Sequence, residues 1–314
     1  MTEIAPGAAL RKDELTELAR IDRRVVVRDV LLWWLQAVGL YLACVVVRQW
    51  WLVLPAVVVI GCLQNGLNLF AHEGSHTNLS RDKGKNDLWA DLCVAGPLGV
   101  TVDAWRWHHL RHHQYLGDPR EEIELSAYAC VHGPELWRQL ARHLSGWVAL
   151  GVVFRRERFA HHARFPAPPP RSRAAWAGFV LMNGALFGGA WALGAWWMYF
   201  VAWVFPLFAI ATLVSNFRTI VEHQPSSGVC ETRDQEPVLA MTRVMEASWL
   251  ERWLICPVGF YYHYEHHLYP GLPYHRLAEV RRRLVARGYY ADRPIVYAKG
   301  YVRTLWALHR ELAP

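Results

Sequence analysis

Three stretches of this chain contain no charged residue: 30–47 (18 residues), 49–71 (23) and 174–217 (44). A helix rising 1.5 Å per residue needs about 20 apolar residues to cross the hydrocarbon of a bilayer. The first two runs therefore predict a helical hairpin turned at Arg48-Gln49. The third is too long for one span, and Gly194 divides it. The expected spans are about 30–47, 50–71, 174–193 and 196–217. Buried helices of a water-soluble core are the bland alternative, but uncharged runs of this length are rare there. The expected fold is all-α and integral to the membrane: one domain over 1–314, with four transmembrane helices in two hairpins.

Such hairpins leave 1–28, 72–173 and 218–314 on one face. That face holds every Lys and Arg except Arg48, 33 of 34. By the positive-inside rule it is cytoplasmic, which places both termini there, in the cytoplasmic membrane. Trp33-Trp34, Trp50-Trp51, Trp176 and Trp196-Trp197 stand near span ends, where an aromatic belt belongs. The net charge of +7 is then topological, and no aromatic-interleaved basic motif argues for nucleic acid. With 53% hydrophobic residues, the chain is neither disordered nor a disulfide miniprotein.

Residues 93–102, 144–154 and 253–262 are apolar but too short to cross, and are expected in the interface or packed over a site. Residues 3–28 read as a short cytoplasmic helix without the pattern of a cleaved signal peptide. Residues 167–173 (APPPRSR) read as a linker. The six Cys (44, 62, 93, 130, 230 and 256) form no CxxC and are expected to be reduced.

The 16 His are not scattered. His72-Glu-Gly-Ser-His76 closes the second run, followed by His108-His109-Leu-Arg-His112-His113 and His263-Tyr-Glu-His266-His267. Single His223 follows the fourth span. On a helix, residues three and four apart share a face, so each cluster is expected to present its imidazoles together. Imidazole is the commonest metal ligand. Counting two, three, three and one gives nine His, more than the four ligands of a closed zinc site, which points to two metals. His132, His143, His161, His162, His275 and His309 lack the pattern and read as ordinary histidines. His108 extends a cluster but lies off its spacing.

HxxxH at a span end, then HxxHH, then HxEHH followed by Leu268-Tyr269-Pro270, resembles the membrane fatty-acid desaturase superfamily, which includes hydroxylases and carotenoid ketolases. The resemblance runs from about Asn65 to Leu277 and takes in Leu116-Gly-Asp-Pro119 and Pro270-Gly-Leu-Pro273. It implies a non-haem di-iron centre, two Fe held in a histidine-box cap under a four-helix membrane bundle, with O₂ as co-substrate. The ligands it implies are His72, His76, His109, His112, His113, His263, His266 and His267, with His223 matching an extra histidine of many members.

A ligating His usually donates its other ring N–H to a carboxylate or carbonyl. Glu73, Asp118, Glu222 and Glu265 are the expected acidic partners, and Asn216 is a candidate water-mediated ligand. Arg218 and Glu222, four apart, are also placed to pair with each other. Asn65 and Asn68 precede His72 on one stripe and suit either the bundle interior or helix–helix hydrogen bonds.

The functional expectation is an oxidase of unactivated C–H bonds that desaturates an apolar acyl or lipid chain, with hydroxylation of a lipid or specialised metabolite as the alternative. HExxH at His72–His76 also matches a zinc-protease signature, and a metal or haem carrier is a third reading. No HPGG haem motif, Gly-rich dinucleotide fingerprint or Fe–S cysteine run is present, so electrons are expected from a separate donor of ferredoxin type. Arg-rich segments 155–173 and 276–287 suit an acidic carrier or head group, or anionic lipid.

Overall fold

The computed structural model describes residues 9–128, 133–148, 169–223, 241–291, 293 and 295–311. Cys130, Cys230, His132, His161, His162, residues 149–154 and most of the 155–173 segment lie outside them.

The described residues are predominantly helical. A short α1 (Lys12–Leu18) precedes α2 (Arg23–Val47), whose start is capped by Asp22 accepting from Arg24 N and Val25 N. Arg48, in the left-handed conformation at φ 56°, ends α2, and α3 (Trp50–Ser75) runs back beside it. The expected hairpin turn is where the charge-free runs placed it. A second turn, at Gly194 with φ +67°, separates α8 (Arg173–Ala192) from α9 (Trp196–His223). Between the hairpins lie α4 (Lys83–Ala90), α5 (Val102–Tyr115), α6 (Leu125–Tyr128) and α7 (Gly133–Leu144). After α9 come β1 (Val244–Glu246), α10 (Trp249–Leu254), α11 (His263–Leu268), α12 (Leu277–Ala286), β2 (Tyr297–Lys299) and α13 (Tyr301–Glu311). The two strands pair in parallel, Val244 opposite Tyr297, and close the segment bearing the third histidine box.

Among the described residues three helices, α2, α3 and α9, are long and apolar enough to cross a membrane. α8 has 20 residues and carries a buried Asn183. Apolar side chains point outward along α2, α3 and α8: Leu35 is 70% exposed, Trp51 72% and Leu181 67%. In water that surface would be costly, and in lipid it is solvated.

α3 is the central helix, packed by α2, α5 and α9. Ile60, Leu63 and Leu67 meet Tyr41 and Trp203 in the largest apolar cluster. Several polar groups at this depth are paired, as hydrocarbon demands. Gln64 Nε2 donates to Trp203 O at 2.9 Å and Tyr41 Oη to Leu186 O at 3.0 Å. Asn183 Oδ1 accepts from Tyr199 and Trp203, joining α8 to α9. α9 bends through two wide π-turns, Phe200–Val204 and Leu207–Ala211, on either side of Pro206, which has no N–H to give. Within the apolar stretch 93–102, a 3₁₀ turn at Gly96–Leu98 packs on α8, where Gly96 meets the backbone of Ala175.

Candidate metal centre

Helical geometry sorts the nine histidines. Residues four apart differ by about 40° around a helix and consecutive residues by about 100°. The pair His72 and His76 at the end of α3, and the pair His109 and His113 on α5, therefore face one point together with His266. The pair His263 and His267 on α11 faces a second point with His112 and His223. Within each group the ligand nitrogens lie within 4.8 Å of one another. The two HxxHH boxes are thus used in reverse: each gives its i,i+4 pair to one group and its remaining residue to the other. The expectation that each box presents all its imidazoles to one side is corrected here. His112 and His113 diverge, as do His266 and His267.

The spacing inside the groups suits a cation. Nε2 to Nε2 separations are 2.6 Å for His72–His109, 2.8 Å for His109–His113 and 3.0 Å for His113–His266. In the second group they are 2.8 Å for His223–His263 and 3.1 Å for His263–His267. Two nitrogens bound at about 2.1 Å, roughly at right angles around one ion, are about 3 Å apart. His76 Nε2 is buried with no hydrogen-bond partner, a donor atom that a metal would satisfy. Every donor is a histidine nitrogen, which suits iron, zinc or copper rather than magnesium or calcium.

Burial keeps most of these rings neutral, as ligation requires. It pushes His76 down to about 3, with Arg106 and His112 adding to the shift. His109, His113, His263, His266 and His267 are likewise driven well below the ordinary value, first by burial and then by neighbouring rings. His112 departs from the pattern. Burial opposes its charge, but Glu122 and Glu124 outweigh burial and raise it to about 9. Burial raises Glu124 too, yet His112 and His108 hold it well below the carboxylate range.

Each outer partner has a place. His112 Nδ1 lies 3.2 Å from Glu122, and His223 Nδ1 donates to Met241 O at 2.9 Å. His72 Nδ1 is 3.3 Å from Glu73, whose other oxygen accepts from Tyr274 N and Asn78. Glu222 lies 3.5 Å from His263 Nε2 and also takes Arg218 and Tyr301. The Arg218–Glu222 pair is buried rather than exposed, and α9 is tied to its neighbours where Tyr301 donates to Glu222 and Arg218 lies over the Phe260 ring.

Two expected partners have other work. Asp118 Oδ1 accepts from the backbone N–H of Arg120 and Glu121, and its carbonyl accepts from Glu122 N. Asp118 thereby shapes the turn that delivers Glu122. Glu265 takes both Arg281 and the Tyr290 hydroxyl, tying α11 to α12. Asn216 Nδ2 donates to Ala127 O, and its buried Oδ1 has no partner among the described residues. Asn68 Oδ1 accepts from Trp105, and Asn65 reaches Ile255 O, so both tie α3 to neighbouring segments.

Glu122, Glu124, Tyr128 and Phe260 were not singled out from the sequence. The acidic run Glu121-Glu122-Ile-Glu124 just after the second box was the signal for the first two. Tyr128 lies with its ring 5.3 Å from His223, and Phe260 lies 4.8 Å from His72 and 5.1 Å from His263. His108 Nδ1 pairs with Glu124 at 3.0 Å, and His275 and His309 bond to Asp22 N and Trp137, away from both groups.

A model of the fatty acid desaturase family matches residues 48–299, a stretch that contains all nine of these histidines. Over 247 residues the chain is 28% identical to the dihydrorhizobitoxine desaturase of Bradyrhizobium elkanii, covering 74% of this chain and 68% of that protein. Over 79 residues it is 37% identical to the ceramide hydroxylase of Caulobacter vibrioides (strain NA1000 / CB15N), covering 25% of this chain and 22% of that protein. With most of its length inside the family match, the chain belongs to the fatty acid desaturase family.

Proposed function

We propose that this protein is an O₂-dependent di-iron oxidase of the membrane that introduces a double bond into an apolar acyl chain. The observation that carries the reading is the division of nine histidines into groups of five and four, with no carboxylate in either. A hydrolytic zinc site needs three protein ligands and an open position, and one group would already exceed it. Glu73 also argues against the protease reading. It stands on the Nδ1 side of His72, while Nε2 faces the group, so it is not placed to activate a metal-bound water.

In this reading His72, His76, His109, His113 and His266 hold one iron, and His112, His223, His263 and His267 the other. Asn216 Oδ1 accepts from a water at the second group. When bound, the iron pair supplies O₂ activation strong enough to take hydrogen from an unactivated C–H bond. The rest of the work belongs to the chain. Glu122 and the Met241 carbonyl accept from Nδ1–H of His112 and His223, which fixes the tautomer and turns Nε2 inward. Phe260 and Tyr128 wall the groups with aromatic surface and keep bulk water from the reacting carbon.

For desaturation the substrate loses two hydrogens, and O₂ takes these with two electrons and two protons to give two waters. Hydroxylation uses the same O₂, electrons and protons but leaves one oxygen on carbon, so the relatives' names permit either outcome. Both need an external donor, which we assign to a separate ferredoxin-type protein. We further propose that α8 crosses with α2, α3 and α9, so that the histidine cap and both termini face the cytoplasm.

The test is lipid and metabolite mass spectrometry of cells with and without the gene. A product lighter by H₂ supports desaturation, and one heavier by O makes the protein a hydroxylase. Purified protein carrying one zinc and no iron would end the oxidase reading.

A further inference from the structure

α7 follows α9 down from the histidine groups. It packs on both Thr212–His223 and Leu207–Ala211 of α9. Its start belongs to the cap, where Leu136 is buried in one cluster with Ile220 and Val221. The chain just beyond its end lies against the middle of α9: a Cβ added at Gly146 would stand 3.8 Å from Phe208 Cβ. The two helices therefore run antiparallel, and α7 descends along α9 as far as the left-handed turn at Gly146, φ +71°.

The spans set the depth of that turn. Arg48 donates to Leu193 O, and the rings of Trp50 and Trp197 lie 6.2 Å apart, so the turns of both hairpins stand at one level. Trp50-Trp51 and Trp196-Trp197 mark this level as a membrane edge. Phe208 is 12 residues from Trp196, at most roughly 18 Å of helix rise. The hydrocarbon is about 30 Å thick, which leaves Phe208 and Gly146 about 12 Å short of the opposite edge. Tilt and the wide π-turns of α9 only lengthen that distance.

The side chains and backbone at this end suit lipid. Leu144 is 47% exposed and Trp147 68%, apolar surface at a depth where no water is found. The backbone donors are satisfied within the segment: Ser145 N–H donates to Ala141 O and Gly146 N–H to His143 O, both at 2.9 Å, and Trp147 N–H to Ser145 Oγ at 3.3 Å. Ser145 Oγ in turn donates to Arg142 O at 2.8 Å. Arg138 and Arg142 both reach back toward the start of α7, to Glu135 at 2.9 and 3.7 Å. Their charges are thereby drawn up toward the cap while the stems stay on the helix, as arginines do when they snorkel.

We propose that α7 and the turn up to Trp147 form a re-entrant element that dips into the leaflet on the histidine side, with Leu144 and Trp147 solvated by lipid acyl chains. The element pins the cap at a fixed height over the bilayer, because one helix joins Leu136 in the cap to Leu144 in the lipid. It rests on α3 and α9 spanning the membrane and is independent of the oxidase reading.

The test uses the full chain in phosphatidylcholine nanodiscs doped with either of two photoreactive lipids. One carries a diazirine near the end of an acyl chain, the other on the head group, and cross-linked residues are mapped by mass spectrometry. Exposed apolar side chains elsewhere calibrate the labelling: Leu35 on α2 and Val58 on α3 for lipid, Val285 on α12 for the aqueous face of the cap. The chain-end probe should label Leu144 and Trp147 within about twofold of Leu35 and roughly tenfold above Val285. At Trp147 it should also exceed the head-group probe. Stronger head-group labelling there would lay α7 flat in the interface and overturn the insertion. Labelling no higher than at Val285, with Leu35 and Val58 labelled, would put the turn in water or under another protein chain, and would overturn it as well. If Leu35 and Val58 also escape the chain-end probe, the spans themselves fall and the element with them. Turnover of the iron-loaded protein is read separately: labelling without turnover sinks the oxidase reading and leaves the element, whereas turnover without labelling at Leu144 and Trp147 sinks the element alone.

Discussion

The five-histidine and four-histidine groups use the same side chain at the same helical spacings, yet they are supported differently. In the first, His72 has Glu73 beside it, Nδ1 of His266 has no partner among the described residues, and His76 and His113 are only half-buried. In the second, all four histidines are buried; Glu122 and the Met241 carbonyl stand against Nδ1 of His112 and His223, while Nδ1 of His263 and of His267 has no partner among the described residues. The first group is assembled from i,i+4 pairs on two long helices that other packing already holds, with His266 of α11 as its fifth member. The second draws on α5, the end of α9 and the six-residue α11, and it needs polar partners to set its rings. Metal affinity should therefore depend on outer partners mainly in the second group.

The largest effect should come from the rings themselves. His109→Ala, His113→Ala and His267→Ala should each abolish turnover and lower iron per chain while the protein still inserts in the membrane; two of the three remaining active would break the ligand assignment. Glu122→Gln comes next, with a roughly 10–100-fold weaker second iron in metal titrations and the first unchanged. Equal loss at both groups would show that the support is shared after all.

The same carboxylate gives a pH signature to metal-free protein. The folded-state value of His112, about 9, lies above its ordinary 6.5. Charged His112 therefore stabilises the fold fully below about pH 6.5, and the contribution is lost as pH rises through about 9. Thermal melts of metal-free protein should fall over that window, and Glu122→Gln should flatten the fall. Iron loading should carry the opposite dependence, weakening as pH drops below about 9 because His112 must give up a proton.

Tyr301→Phe is a smaller perturbation. It removes the hydroxyl that donates to Glu222 at 2.7 Å and should cost about 1 kcal/mol of stability, measured by denaturant titration, with iron content kept. His309→Ala should be nearly silent, within about 0.5 kcal/mol and with unchanged turnover, since His309 meets exposed Trp137 and not the centre.

Much of this is legible in the sequence. The turns at Arg48 and Gly194 follow from where charge interrupts apolar sequence and where glycine permits φ > 0. The four histidine segments follow from helical spacing. What was not legible is telling. Asp118 and Glu124 are both acids close after the second box, and the sequence alone offers no reason to prefer Glu124 or Glu122 beside His112. The choice is made by the turn at Asp118, which spends its carboxylate on backbone N–H groups and swings the next acids toward the ring.

Sequence by itself determined the apolar helices and the family, because hydropathy and i,i+4 spacing are local properties that survive without knowledge of neighbours. It also determined which histidines stand at helix ends. Only the tertiary structure decided how they divide. Adjacent histidines such as His112 and His113 point about 100° apart, and which direction meets which partner depends on how α5 and α11 cross.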